Sequence, residues 1–225
     1  MIQDKFVQAR LDMVEYLVNY PVENEGQKIR DPRVIAALKK VPRQMFMSDA
    51  LKYNAYQDNA QAIGEGQTIS QPYIVALMSQ ALELKGNEKV LELGTGSGYQ
   101  AAVLAELASR VFTVERIDKL SRGAEEVIRA LKYHNILFHI GDGTLGWPKF
   151  APYDRIIVTA GAPEVPKACW DQLAEGGRMV IPVGDMNVQK LLLIDKINGR
   201  EVKKELCGCM FVPLVGKYGW QANGQ

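Results

Sequence analysis

The sequence predicts a doubly wound α/β fold: a mostly parallel sheet covered by helices on both faces, with N-terminal helices before it and an antiparallel hairpin at its end. Two observations carry this expectation. From Glu88 onward, short apolar runs alternate with helical stretches, a pattern that builds a parallel sheet. The last two strand candidates are separated only by a short link around Asn198-Gly199, which signals a hairpin. The strand candidates are 89–93, 110–115, 135–140, 154–160, 177–183, 189–196 and 202–212, with helical patterns at 98–109, 118–132 and 164–174. The first five strands are expected to run parallel.

The elements before Glu88 can be placed in turn. Residues 2–20 set Phe6, Leu11, Val14 and Leu17 at helical spacing, and a link containing Gly26 follows. Asp31-Pro32 reads as an N-cap with proline at the first helical position. That helix runs through Val34, Ile35 and Leu38 and ends at Val41-Pro42-Arg43. Residues 52–69 are polar and aromatic, with Gly64 and Gly66, and read as a structured loop. Ser70-Gln71-Pro72 starts another helix, with Ile74, Leu77, Met78 and Leu82 on its buried face.

Composition narrows the function classes. A chain of 225 residues buries roughly 70% of its unfolded surface and needs no disulfide or metal to fold. Its 27 basic and 26 acidic residues leave a formal charge of +1, and no basic run stands out. No global field therefore draws in nucleic acid or an anionic membrane. Cys169, Cys207 and Cys209 lack the spacing of a disulfide framework, and Cys207-Gly208-Cys209 alone does not make a zinc site. His134 and His139 pair with no acid or metal motif and read as structural, and Trp147, Trp170 and Trp220 read as packing residues. The charged N-terminus is not a signal peptide, and no stretch approaches the roughly 20 apolar residues of a membrane helix. A cytoplasmic monomer without metal is expected.

The chemistry concentrates where Lys89-Val90-Leu91-Glu92-Leu93 runs into Gly94-Thr95-Gly96-Ser97-Gly98. Glycines at such a strand-to-helix turn let a ligand approach the backbone. A dinucleotide fingerprint would need its third glycine at position 99, which is Tyr99, and no P-loop Gly-Lys-Ser/Thr follows. Glu115, at the end of the second strand, can accept hydrogen bonds from both hydroxyls of a ribose. Asp142, just past the third strand, can accept from an adenine amino group, with Gly143 leaving room for the ring. Three strand ends converge on one crevice at the switch point of the sheet, which implies an adenosine-type cofactor. Without a pyrophosphate motif, S-adenosylmethionine is the expected ligand. Glu92 either positions the glycine turn, meets the amino-acid end of the cofactor, or makes only a structural hydrogen bond.

Taken together, these residues resemble the protein-L-isoaspartate O-methyltransferase family over nearly the whole chain. The most specific match is Ile63-Gly64-Glu65-Gly66-Gln67-Thr68-Ile69-Ser70-Gln71-Pro72, a segment that generic methyltransferases lack. Further matches are Val41-Pro42-Arg43, Leu91 to Tyr99, Gly141-Asp142-Gly143, Ala151-Pro152-Tyr153-Asp154, Gln172 to Arg178, Pro182-Val183-Gly184 and Phe211-Val212-Pro213-Leu214. One departure is Asp58-Asn59-Ala60-Gln61-Ala62, where the family often has a proline-containing segment.

The resemblance implies a Rossmann-like sheet of the S-adenosylmethionine-dependent methyltransferase type. It implies one domain over residues 1–225: an N-terminal helical and substrate-lid region (1–87), a cofactor-binding core (88–184) and a C-terminal hairpin and substrate rim (185–225). The implied activity is repair: methylation of the free α-carboxylate of L-isoaspartyl residues in damaged proteins and peptides. The ester then closes to a succinimide that reopens partly to normal aspartate. The resemblance lays Gln67, Thr68, Ile69 and Ser70 over cofactor and substrate, with Ser70 as the active residue. It adds Arg116 near the adenosine and Val212-Pro213-Leu214 beside the substrate peptide, while Glu92, Gly94, Thr95, Gly96, Gly98, Glu115, Asp142 and Gly143 complete the cofactor set. From sequence alone, Ser70 is also a candidate N-cap of the helix that follows. The competing expectations are a methyltransferase for a small molecule or RNA, and a non-catalytic interaction module on the same fold.

Overall fold

The computed structural model of the chain describes residues 2–19 and 28–221, so the expected link at Gly26 lies outside the described residues. The chain begins with helices α1 (Ile2–Val18) and α2 (Pro32–Lys40), then a two-stranded hairpin of β1 (Gln61–Gly64) and β2 (Gln67–Ile69), then α3 (Pro72–Ala81). The core alternates β3 (Lys89–Leu93), α4 (Tyr99–Ala105), β4 (Arg110–Glu115), α5 (Asp118–Ala130), β5 (Ile136–Ile140), β6 (Tyr153–Val158), α6 (Lys167–Gln172) and β7 (Leu173–Gly184). It closes with β8 (Gln189–Ile197) and β9 (Arg200–Cys209). Strands β3 to β9 form one sheet in the order β5-β4-β3-β6-β7-β8-β9. The first five are mutually parallel and the last two antiparallel, as expected. Asn198 and Gly199 both have left-handed φ (52° and 70°), which gives the hairpin its tight turn.

Side chains alternate between the two faces of the sheet, as the strand period requires. Val90, Val111, Ile157 and Val180 join the helices α1 to α4 in one apolar cluster. Leu91, Phe112, Ile156 and Met179, their chain neighbours, pack on the other face with Cys169 of α6. Asp31 caps α2 as expected, accepting from the amides of Arg33 and Val34. In α1 the buried residues are Met13, Val14 and Leu17, whereas Leu11 faces solvent and Phe6 stacks on Tyr53. Cys207 and Cys209 are half-buried free thiols packed against the core.

Four expectations need correction. The segment 52–69 is more ordered than a loop: its second half is the β1–β2 hairpin, turning through Gly64, Glu65 and Gly66, all with left-handed φ. Its strands span only four and three residues, too short for a readable alternation. Ser70 does not cap α3, because the cap position falls on Gln71, which makes no side-chain cap bond. Instead Asp58, far back in the chain, accepts from the Tyr73 amide (2.8 Å) and from Gln71 Nε2 (2.9 Å). Ile74 is only half-buried. Finally, β9 stops at Cys209: the Phe211 amide turns to Gln189 Oε1 (2.7 Å), and Pro213 has no amide to extend a ladder.

Glu92 is fully buried within the sheet. This residue of β3 lies directly opposite Thr113 of β4, and both point to the face that carries α1 to α4. Thr113 Oγ1 donates to Glu92 Oε2 (2.6 Å) and contacts Thr95 Oγ1 at 2.6 Å. Glu92 Oε1 is buried without a hydrogen-bond partner among the described residues. Burial therefore outweighs the Thr113 bond, and with the charge of Glu115 acting in the same direction it pushes the Glu92 carboxyl up to about 8. The folded state thus holds this proton more tightly than the unfolded chain does. Its contribution to stability is complete below the unfolded pKa and is lost as pH rises towards 8. Relative to a Glu92→Gln variant, the wild-type protein should lose stability between pH 5 and 8 at up to about 1.4 kcal/mol per pH unit. Urea denaturation across that range checks this, and a pH-independent difference between the two proteins would refute it.

Candidate active site

The site is built where the strand order reverses. From β3 the chain moves out to β4 and β5, then returns to place β6 on the other side of β3, so a crevice opens above the β3 exit. The exit is held from both sides. The Gly94 amide donates to Val114 O of β4 (2.9 Å), and the Thr159 amide, just past β6, donates to Leu93 O (2.9 Å). Thr159 Oγ1 also donates to Gly94 O (2.6 Å), and a Cβ on Gly94 would sit 2.5 Å from that hydroxyl oxygen. Glycine is therefore required at 94, where φ is +99°.

Residues from several regions of the chain enclose a cleft of about 750 Å³, a volume that includes its open mouth. Gly94, Thr95 and Gly96 form its floor. Glu115 and Arg116 line it from the end of β4, and Gly143 from beyond β5. Gln67, Thr68, Ile69 and Ser70 cover it from β2 and the residue beyond, and Val212, Pro213 and Leu214 close it from the C-terminal side. Glu115 accepts from the Gly96 amide (3.0 Å) and the Ile117 amide (2.9 Å), so its carboxylate shapes the glycine loop as well as facing the cleft. Above the loop, Ile63 of β1 comes within 3.5 Å of where a Gly96 Cβ would lie. The hairpin tip is tied to α5 by Lys119 Nζ and Glu65 Oε1 at 2.7 Å. The 212–214 segment is fixed by a bridge to Gly161: the Leu214 amide donates to Gly161 O and the Gly161 amide to Val212 O, both at 2.8 Å.

Three residues expected at the cofactor do not line this cleft. Glu92 is fully buried below the loop, and its Oε2 accepts from Thr113. Gly98 turns into α4 with φ +87°, and a Cβ there would come within 3.0 Å of Ala124 Cβ, so this glycine serves helix packing. Asp142 directs its carboxylate to its own chain: Oδ1 accepts from the Thr144 amide and hydroxyl (2.8 and 2.6 Å), and Oδ2 from the Lys217 amide (2.7 Å). Gly143 does line the cleft, yet a Cβ there would make only ordinary contacts with Leu93 and Leu214.

Other lining residues escaped the sequence reading. Thr159 lies just past the fourth core strand, and its position at a strand terminus beside the crevice was the available signal. Val75, Tyr99 and Gln100 also face the cleft, placed there by how α3 and α4 dock, which no local pattern announces.

Ser70 borders a second feature. A groove lined by Ala60, Thr68, Ser70, Gln71, Ile74, Gly208, Cys209, Met210 and Phe211 lies beside the cleft, and Thr68 and Ser70 line both. No charged side chain lines this groove. Burial pushes the Cys209 thiol up to about 12, so it is protonated at neutral pH and is not a nucleophile. Among the described residues no cluster of His, Cys, Asp and Glu is arranged to hold a metal ion, and no helix is long and apolar enough to cross a membrane.

Comparison with known proteins agrees with this geometry. The profile of the family described as protein-L-isoaspartate(D-aspartate) O-methyltransferase matches residues 14–219. Protein-L-isoaspartate O-methyltransferase 1 of Syntrophobacter fumaroxidans is 53% identical over 218 residues, 96% of this chain and 98% of its own. Protein-L-isoaspartate O-methyltransferase 2 of Geotalea uraniireducens is 56% identical over 205 residues, 90% of this chain and 94% of its own. A solved protein-L-isoaspartate O-methyltransferase superposes with a TM-score of 0.81 at 31% identity, covering 93% of this chain and 67% of that one. A Plasmodium falciparum structure, a beta-aspartate methyltransferase in complex with S-adenosyl-L-homocysteine, gives 0.78 at 27% identity over 92% of this chain and 98% of that one. With a family profile over almost its entire length and relatives identical at more than half of the aligned positions, the chain belongs to the protein-L-isoaspartate(D-aspartate) O-methyltransferase family.

Proposed function

We propose that this chain is a protein-repair methyltransferase that moves a methyl group from S-adenosylmethionine to the free α-carboxylate of L-isoaspartyl residues in damaged proteins and peptides. The observation that carries this reading is the position of Ser70, on the wall shared by the cleft and the uncharged groove. A donor in the cleft and a peptide in the groove would meet at that residue.

The residues present fit the cofactor. The cleft offers a glycine loop that exposes backbone, a carboxylate at Glu115 suited to a ribose diol, and the apolar walls Val114 and Ile117 for a purine ring. It has no phosphate-cradling lysine, in keeping with a ligand that carries no pyrophosphate. When bound, S-adenosylmethionine supplies a methyl group on a sulfonium centre for in-line displacement by an oxygen nucleophile.

The protein's part is placement. An α-carboxylate has a pKa of about 3.5 and is already ionised at neutral pH, so the site needs no general base. No histidine lines the cleft or the groove, and His139 is stacked on Trp147. The Ser70 hydroxyl makes no hydrogen bond among the described residues and is free to donate to one substrate oxygen, which leaves the other oxygen aimed into the cleft. Holding the reacting atoms in line can contribute about 7–11 kcal/mol. Excluding water beneath the hairpin strengthens the attraction between carboxylate and sulfonium. The groove takes an extended, flexible segment, the kind of chain in which isoaspartate forms.

The deciding experiment is methyl transfer to a matched pair of peptides: the isoaspartyl peptide should accept methyl and the aspartyl peptide should not. Equal transfer, or transfer to neither, would overturn the reading. Ser70→Ala should lower kcat about 10- to 100-fold, the scale of one hydrogen bond to a charged group, while the Kd for S-adenosylhomocysteine stays nearly constant. Collapse of cofactor binding with normal turnover of the bound complex would show that Ser70 does not orient the acceptor. Glu115→Ala should weaken S-adenosylhomocysteine by more than about tenfold in calorimetry. An unchanged affinity would show that the ribose is held elsewhere.

A further inference from the structure

We propose that Arg43 is a positioning residue for methyl transfer: it ties the strip bearing Ser70 to the helix leading off the glycine loop, and so sets the spacing between acceptor and donor. This inference rests on the function proposed above. Arg43 opens the short 3-10 turn Arg43–Phe46 after α2 and is fully buried. Its Nη2 donates to Ser70 O and its Nε to Ala55 O, both at 2.8 Å. Its guanidinium lies 4.8 Å from the ring centroid of Tyr99, the first residue of α4 and part of the cleft wall. One side chain thus grips the lid strip, the 52–55 turn and the exit of the glycine loop.

Packing alone does not account for this residue. Arg43 Nη1 is buried with no hydrogen-bond partner among the described residues, and burying an incompletely satisfied cation is unfavourable. An apolar side chain of similar volume would commonly serve stability as well or better. The guanidinium instead does what a point charge cannot: its rigid fork reaches two carbonyls while its plane packs near an aromatic ring. Asp58 secures the other flank of Ser70 through Gln71 Nε2 and the Tyr73 amide. Because the Ser70 hydroxyl makes no bond of its own among the described residues, its position follows from this backbone anchoring.

The test compares Arg43→Lys with Phe46→Leu. Phe46 is buried edge-on to the same Tyr99 ring at 5.6 Å and makes no contact with Ser70 through a hydrogen bond, so its truncation serves as a packing control. Both variants should melt below the wild-type protein. In Arg43→Lys, assayed where it is fully folded, kcat should fall about 10- to 100-fold, the scale of an ångström-sized misplacement. Its Kd for S-adenosylhomocysteine and its KM for isoaspartyl peptide should stay within about threefold of wild type, because only the reacting geometry is disturbed. Hydrogen–deuterium exchange of the ligand-free protein should quicken across residues 69–73 in Arg43→Lys and not in Phe46→Leu. Arg43→Met, which keeps volume and drops the charge, takes its place if the lysine variant does not fold. Equal kcat losses in both variants at matched melting temperature, or unchanged kcat and exchange in the Arg43 variant, would overturn the proposal. If the wild-type protein methylates neither peptide, the proposed function fails and the exchange measurement decides alone: local loosening sustains the role of Arg43, and unchanged protection ends it.

Discussion

The site depends on the grip that two neighbouring strands keep on the end of β3. Gly94 is bonded to β4 through Val114 O, and Leu93 is bonded from beyond β6 by the Thr159 amide. The loop therefore leaves the sheet at one fixed place and in one direction. The Thr159 hydroxyl fills the space where a side chain at 94 would go, so the backbone itself becomes the floor of the cleft. Glu115 then bonds the Gly96 amide and sets the next turn of the loop. The hairpin, the strip through Ser70 and the 212–214 segment are all placed relative to this floor.

The two faces of the sheet differ in polarity. One face is built from aromatic and aliphatic contacts: Phe112 meets Trp147, Phe150 and Tyr153 with ring centroids 4.7 to 5.8 Å apart. Such pairs strengthen a core without any polar demand. The other face carries several of the buried polar groups, and the site lies at the strand ends, lined from both clusters. Glu92 is bonded to Thr113, Gln100 to Ser79, and Arg43 lies between Ser70 and Tyr99. Buried polar groups that are incompletely satisfied reduce stability, and natural proteins keep them where they position something.

The charge pattern suits a reaction that requires no proton transfer. The acceptor arrives as an anion, and the groove that leads to Ser70 has no fixed charge to hold or repel it along the way. The nearest thiol is kept neutral by burial. The strongly perturbed carboxyl of Glu92 is sealed beneath the glycine loop, where it acts on Thr113 and, through that hydroxyl, on Thr95. Selectivity in such a site comes from shape and placement, since an ordinary aspartyl side chain is as negative as an isoaspartyl carboxylate.

Much of this was legible in the order of residues. Short apolar runs placed all seven core strands, Asn198-Gly199 marked the terminal hairpin, and the glycine loop with Glu115 marked the crevice, because each rests on contacts close in sequence or on backbone conformations that few residues adopt. The hairpin over residues 61–69 was not legible, since strands of three and four residues leave no period to read. Nor was the cap of α3, which comes from Asp58 instead of Ser70, or the turning of Asp142 towards Lys217. Those outcomes depend on which distant backbone amides come within reach once the chain has packed. Local chemistry thus decided the strands, the turns and the kind of ligand, while tertiary packing alone decided which polar side chains face the cleft and which are consumed in holding it open.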